Sequence, residues 1–217
     1  MEEVSFDEFD SNLYVLSMIG SEENVENVKN KLNIDKFNVF YGLNYKKSIH
    51  NINFYSSLIA PKIIMDYMIF NPGALACVSN HYYAVQEAYK SGKEFAFFIE
   101  DDVFPVQKFD LLNMSIKELP EDFDCLNFGW IPSIVVEERN IEPTSYSKLL
   151  YKKDGLECSG AFGYLLSKKG MEKYISILKD NIVPSDFIFS LLDTYYMKNP
   201  FLGHPPAYVP SRIRNNV

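Results

Sequence analysis

Five consecutive apolar residues, Phe95 to Ile99, run directly into three carboxylates, Glu100, Asp101 and Asp102. An unbroken apolar run this short, with a helical pattern before it, predicts a strand buried on both faces of a parallel sheet. The acids then fall at the carboxyl edge of that sheet, where open α/β folds place their ligands. Alternation along a strand points Glu100 and Asp102 to one side and Asp101 to the other. Two carboxylates on one side of a strand end suit a hard divalent cation, Mg²⁺ or Mn²⁺, which completes its shell with water and substrate phosphates. Adjacent acids are also common on solvated loops; the buried run ahead of these three is what favours a site.

The rest of the chain alternates strand and helix patterns. Leu13 to Met18 reads as a first strand, Glu22 to Leu32 as a helix with Val25, Val28 and Leu32 on one face, and Phe37 to Tyr41 as a second strand. That is a β-α-β unit, the building block of a parallel sheet. Asn53 to Phe70 has helical spacing interrupted by Pro61, and Asn71-Pro72-Gly73 signals a turn. Asn80 is placed to cap a helix from His81 to Ser91 that Gly92 stops. Leu111 to Leu119 predicts a helix and Asp124 to Gly129 a strand, whereas Ile131 to Gly155 has no clear period. Ala161 to Leu166 reads as a strand, Lys168 to Lys179 as a helix, and Ser185 to Met197 as a last helix buried through Ile188, Leu191, Leu192 and Tyr195. With 217 residues and neither a repeat nor a low-complexity linker, the expectation is one α/β domain spanning 1–217 with a mostly parallel sheet between helices.

Composition narrows the function classes. The net charge is −8 and no cluster of Lys or Arg marks a basic face, so nucleic acid is not an expected partner. No apolar run approaches the ~20 residues of a membrane span, and the acidic start, Met1 to Asp10, lacks the apolar centre of a signal peptide. Cys77, Cys125 and Cys158 are odd in number and widely spaced, which suits free thiols in a reducing compartment. A cytoplasmic protein is expected, with work beside a membrane left open.

Outside the acidic triplet the candidates are single residues. Asp186, in Val-Pro-Ser-Asp-Phe-Ile-Phe, reads from spacing alone as a helix N-terminal acid favoured by the dipole, and alternatively as a general base for an acceptor hydroxyl. His81 reads as a satisfied histidine or as a donor to a phosphate or sugar oxygen. His204, in Gly-His-Pro-Pro, is an exposed loop histidine or a third metal ligand closing over the site. Gly160 lets backbone approach a ligand closely, or simply packs tightly.

Taken together these stretches resemble glycosyltransferase family 25, the lipooligosaccharide and collagen galactosyltransferase group. Gly73-Ala74-Leu75-Ala76-Cys77-Val78-Ser79-Asn80-His81 is similar to the family's Gly-x-x-Gly-Cys-x-x-Ser-His block and precedes the Glu100-Asp101-Asp102 strand at the family's distance. Asp124 to Gly129, the Gly160 to Gly170 segment, Val183-Pro184-Ser185-Asp186 and Pro205-Pro206 resemble its later blocks in order. The resemblance implies a GT-A-type fold and transfer with inversion from a nucleotide-diphosphate sugar, a UDP-sugar of galactose or glucose. The acceptor would be a hydroxyl of a glycan, a lipid-linked molecule or a protein. It also implies roles: Asp102 holding Mn²⁺ or Mg²⁺ with Glu100 or Asp101 assisting, Asp186 as the base, and Asn80 and His81 lining a donor pocket that Asp102 and Gly160 also touch. Ala76 and Asn80 stand where the family has Gly and Ser, and the turn Ile19-Gly20-Ser21-Glu22-Glu23 lacks the arginines usual there. An inactive copy that binds a sugar or nucleotide therefore stays open as the alternative. A metal-dependent phosphohydrolase normally needs more acid or histidine ligands than this chain offers.

Overall fold

The computed structural model describes residues 12–42, 72–132, 144–152, 158–180 and 183–204. Asn53 to Phe70, Pro205 and Pro206 lie outside these residues. β1 (Leu13–Met18), α1 (Glu22–Leu32) and β2 (Asn38–Gly42) form the expected β-α-β unit, and β1 pairs in parallel with β2 and with β3 (Phe95–Glu100). The other elements are α2 (Pro72–Lys90), β4 (Phe104–Pro105), α3 (Phe109–Lys117), β5 (Cys125–Pro132), β6 (Thr144–Ser145) and β7 (Leu150–Lys152). They are followed by β8 (Cys158–Ser167), α4 (Lys168–Asp180), α5 (Ser185–Ile188), a 3₁₀ turn (Phe189–Leu191), β9 (Thr194–Met197) and β10 (Leu202–Gly203).

Eight strands form one mixed sheet in the order β2-β1-β3-β8-β5-β9-β7-β6. β8 is antiparallel to β3 and β5, β9 is parallel to β5, and β7 is antiparallel to β9 and β6. Six strands therefore run one way and only β8 and β7 oppose them. β4 and β10 form a separate antiparallel ribbon. Because β8 runs backwards, its beginning, not its end, meets the carboxyl ends of β1, β3 and β5.

The period of two divides the core cleanly. Tyr14, Leu16, Ala96, Phe98, Tyr164 and Leu166 pack on one face against Val78, Tyr82 and Val85 of α2 and Met171, Tyr174 and Leu178 of α4. Leu13, Val15, Phe97, Ile99, Leu126 and Leu165 pack on the other against Val28 of α1 and Leu112 of α3. Phe97, Phe98 and Ile99 are wholly buried, as expected of a strand covered on both sides, and each contributes about 1.5–3 kcal/mol.

Three expectations need correction. α2 starts at Pro72 rather than after a cap at Asn80, because proline is at home in the first helical turn and Ala74-Leu75-Ala76 propagates it. Asn80 sits inside that helix, buried, with its amide against Gly42, where an added Cβ would stand 1.9 Å from Asn80 Cγ. The last helix ends after one turn: Thr194 to Met197 is a buried strand, the choice of a β-branched and aromatic run, and Leu191, placed inward by helical spacing, is exposed. Within Ile131 to Gly155, β5 continues to Pro132 and β6 and β7 extend the sheet edge.

Asp124 ties α4 to the sheet. Its buried carboxylate meets Lys173 Nζ at 2.6 Å and Lys169 Nζ at 3.4 Å and accepts the Asp193 N–H at 2.9 Å. Burial alone would push its carboxyl up, but Lys173, the Asp193 N–H and Lys169 outweigh that and hold it below its ordinary value. A carboxylate with a depressed folded pKa adds stability above its unfolded pKa and loses it as pH falls through the folded one. Asp124→Ala should thus cost about 1–3 kcal/mol in urea unfolding at neutral pH. The gap to wild type should narrow by about pH 3; a gap that does not depend on pH would assign the loss to packing.

Candidate functional site

The site is built where β1, β3 and the start of β8 meet. Glu100 closes β3 on the α2 face, following Phe98, and its carboxylate reaches His81 Nε2 at 3.1 Å. Asp101 turns to the opposite side, where Ser17 Oγ of β1 donates to it at 2.7 Å. Asp102 meets His204 Nε2 at 3.2 Å, and the His204 imidazole leans on the Phe162 ring of β8 at 5.5 Å. Glu100, Asp102 and His204 each offer one ligand atom, all within 4.8 Å of one another. β3 ends at Glu100, and the turn at Asp101 and Asp102 brings Asp102 back beside Glu100; His204 joins them from beyond β10, and Asp101 meets Ser17 instead.

One atom in this group is unsatisfied. Asp102 Oδ1 is buried and has no hydrogen-bond partner, a costly state for a carboxylate oxygen. Two carboxylates and an imidazole at this spacing, one carboxylate with a buried unpaired oxygen, would suit a divalent cation held by oxygen and nitrogen donors.

His81 is 2% exposed and spends both nitrogens inside the protein, Nδ1 on Tyr164 Oη at 2.8 Å and Nε2 on Glu100. A column of rings fixes it. Tyr14 stacks on Phe98, Phe98 on Tyr164, and Tyr164 on both His81 and Tyr174. Burial lowers its pKa, yet Cys77 and the Glu100 carboxylate outweigh burial and raise it to about 10. His81 is thus buried between Tyr164 and Glu100, and Glu100 is the partly exposed group beside it. Cys77, one helical turn before His81, places Sγ 4.0 Å from Glu100 Oε1 and 3.4 Å from Ser185 Oγ.

Asp186 stands at the start of α5, and its carboxylate accepts the backbone N–H groups of Gly160 and Ala161. Its surface is open to solvent, but protein crowds the recess around it. That crowding and the like charge of Glu100 raise its pKa, opposed by His81 and the two N–H donors. Gly160 supplies the geometry: its φ is +122°, its carbonyl accepts Asn127 Nδ2 at 3.0 Å, and an added Cβ would lie 2.5 Å from the Phe162 ring. Tyr164, Ser17 and Asn127 were missed from the sequence. A tyrosine four residues after a glycine in a strand carries no signal until the partner histidine is known.

Carboxylates and imidazoles thus gather at the carboxyl ends of the strands of an α/β sheet. The chain belongs to glycosyltransferase family 25 (LPS biosynthesis protein), whose family model matches residues 10–189, and it is a glycosyltransferase. No curated protein matches the chain. Among solved structures it is similar to one described as the crystal structure of A197 from STIV, at 11% identity and a TM-score of 0.41, over 86% of this chain and 80% of that one. So loose a superposition carries no argument. Cys77 and Cys125 are free thiols, and no helix among the described residues is long and apolar enough to cross a membrane.

Gly160→Ala forces a side chain into a left-handed backbone and against Phe162. It should cost about 1–3 kcal/mol in thermal or urea unfolding. If Gly160→Ala is neutral, the strand start does not hold Asp186 as described.

Proposed function

We propose that the chain is a metal-dependent, inverting hexosyltransferase of GT-A type that transfers a sugar, galactose or glucose, from a UDP-sugar. The receiving group is a hydroxyl of a glycan, lipid-linked or protein acceptor, and the work is done in the cytoplasm or at a membrane surface. Membership of the family supports the reaction class. The observation that supports the rest is the convergence of Glu100, Asp102 and His204, with Asp102 keeping one buried oxygen unpaired. Two carboxylates and one imidazole would hold Mn²⁺ or Mg²⁺, the nitrogen donor tilting the choice to Mn²⁺. Such an ion, when bound, neutralises charge on a departing diphosphate.

The chain's own residues divide the remaining work. Asp102 and Glu100 supply the negative charge that seats the ion, and His204 gives up its pairing with Asp102 to do so. Asp186 takes the proton of the acceptor hydroxyl on a carboxylate oxygen, held in place by the Gly160 and Ala161 N–H groups. Its raised pKa brings a carboxylate closer to the proton affinity that a base needs. Phe187, next to it and 61% exposed, offers a ring face to the acceptor.

A transfer assay with a panel of nucleotide sugars and Mn²⁺ tests the reading. Asp102→Asn should weaken Mn²⁺ binding in direct titration and remove most transfer. Asp186→Asn should lower kcat by about 10²–10⁴ with donor affinity unchanged; lost donor binding instead would make Asp186 structural. A base must be deprotonated, so transfer should fall as pH drops through the Asp186 pKa, with that limb shifted upward from an ordinary aspartate's. The second reading, an inactive binding copy, is favoured by the turn after β1, where Glu22 accepts the Gly20 N–H at 3.2 Å and no arginine stands. It is upheld if nucleotide sugars bind and none is ever cleaved.

A further inference from the structure

Beyond the Glu100–Asp102–His204 group, the geometry points to a second cation site, formed by Cys77, His81 and Glu100, that takes a thiophilic divalent ion of the Zn²⁺ class. We infer this from three observations. The three ligand atoms all lie within 4.8 Å of one another. Cys77 and His81 are four residues apart on α2, so one helical face presents both side chains to the end of β3. Tetrahedral Zn²⁺ with sulfur at ~2.3 Å and nitrogen or oxygen at ~2.0–2.2 Å spaces its ligands about 3.3–3.7 Å apart. The contacts here bracket that spacing, 3.1 Å from His81 Nε2 to Glu100 Oε1 and 4.0 Å from Cys77 Sγ to the same oxygen.

The surroundings of these ligands are those a metal-binding imidazole requires. His81 Nδ1 pairs with Tyr164 Oη at 2.8 Å; in the tautomer where Nδ1 donates, Nε2 is left as the ligand atom, and the Tyr164 hydroxyl bonds in turn to that of Tyr174. With Cys77 as thiolate, the Ser185 hydroxyl 3.4 Å away donates to its sulfur. Cys77 and Glu100 are only partly buried, so an ion can enter from the sheet edge and leave one position open. A thiolate–imidazole–carboxylate set selects Zn²⁺ over Mg²⁺ or Mn²⁺ because sulfur is a soft donor. Binding releases the thiol proton of Cys77 and any proton on His81 Nε2 to solvent. Since Glu100 serves both groups, an ion seated by Cys77 and His81 draws that carboxylate away from Asp102 and His204.

Cobalt titration of the metal-free full chain is the test. Wild type should bind one Co²⁺ with a thiolate-to-cobalt charge-transfer absorption that Zn²⁺ bleaches. Cys77→Ser should lose the band and bind Zn²⁺ at least ~10-fold more weakly, Tyr164→Phe should weaken it about 10–100-fold, and His204→Ala should keep the band. Absence of the band in wild type overturns the site. So does its persistence in Cys77→Ser, which would place the ion on another cysteine, or its loss in His204→Ala, which would leave a single outer site. Melting curves of the metal-free variants confirm folding, and Cys77→Ala is read the same way if Cys77→Ser melts early. Because the band reports thiolate ligation alone, it fails or survives separately from Mn²⁺-dependent transfer.

Discussion

The structure is governed by the crowding of negative charge at one edge of its sheet. Glu100, Asp101 and Asp102 leave β3 together, and Asp186 arrives close enough for Glu100 to raise its pKa. Like charges gathered in partly dry surroundings are unfavourable unless opposite charge or hydrogen-bond donors offset them. Each of the four has its own answer: the His81 imidazole for Glu100, the Ser17 hydroxyl for Asp101, His204 for Asp102, and two backbone N–H groups for Asp186. Among these acids only Asp102 Oδ1 is buried without a hydrogen-bond partner, and the proposed cation site rests on that oxygen's residue.

Rigid support behind that edge comes from aromatic packing rather than from more charge. Tyr14, Phe98, Tyr164 and Tyr174 pass from β1 to α4 as a continuous stack, with His81 laid against Tyr164. Flat rings with few torsions hold a neighbouring imidazole in one orientation. On the opposite side of the sheet Phe97, Phe128 and Phe201 fill the second core layer, and the Phe201 N–H donates to the Phe128 carbonyl beside the ribbon that leads to His204.

What the sequence made legible was the part written in local pattern. An apolar run that ends in acids is a statement about two faces and one edge, and β3 obeys it with Phe97 to Ile99 wholly buried and the acids at its carboxyl end. The β-α-β unit was equally plain, because helical and alternating periods follow each other with a short turn between. Strand direction was not legible: nothing in Ala161 to Leu166 says that β8 runs against β3, since a buried strand looks the same read either way. Asn80 misled because the side chain that favours a helix cap is also tolerated inside a helix when a glycine such as Gly42 opposite makes room. The Thr194 to Met197 segment misled because helical spacing of four apolar residues was counted without weighing Thr-Tyr-Tyr as β formers. His204 could be suspected but not placed, since its partner lies about a hundred residues upstream and only the β4–β10 ribbon brings them together.

The reversed course of β8 couples two tasks that would otherwise be separate. Gly160, which anchors Asp186, and Tyr164, which anchors His81, lie on that single strand, locked between β3 and β5 with Gly129 and Gly163 in near contact. A slip of one residue would turn Tyr164 to the wrong face and carry Gly160 away from the acid it holds. The positions of Asp186 and of His81 thus depend on one mechanical variable, the alignment of a strand that itself supplies no charged side chain to either site.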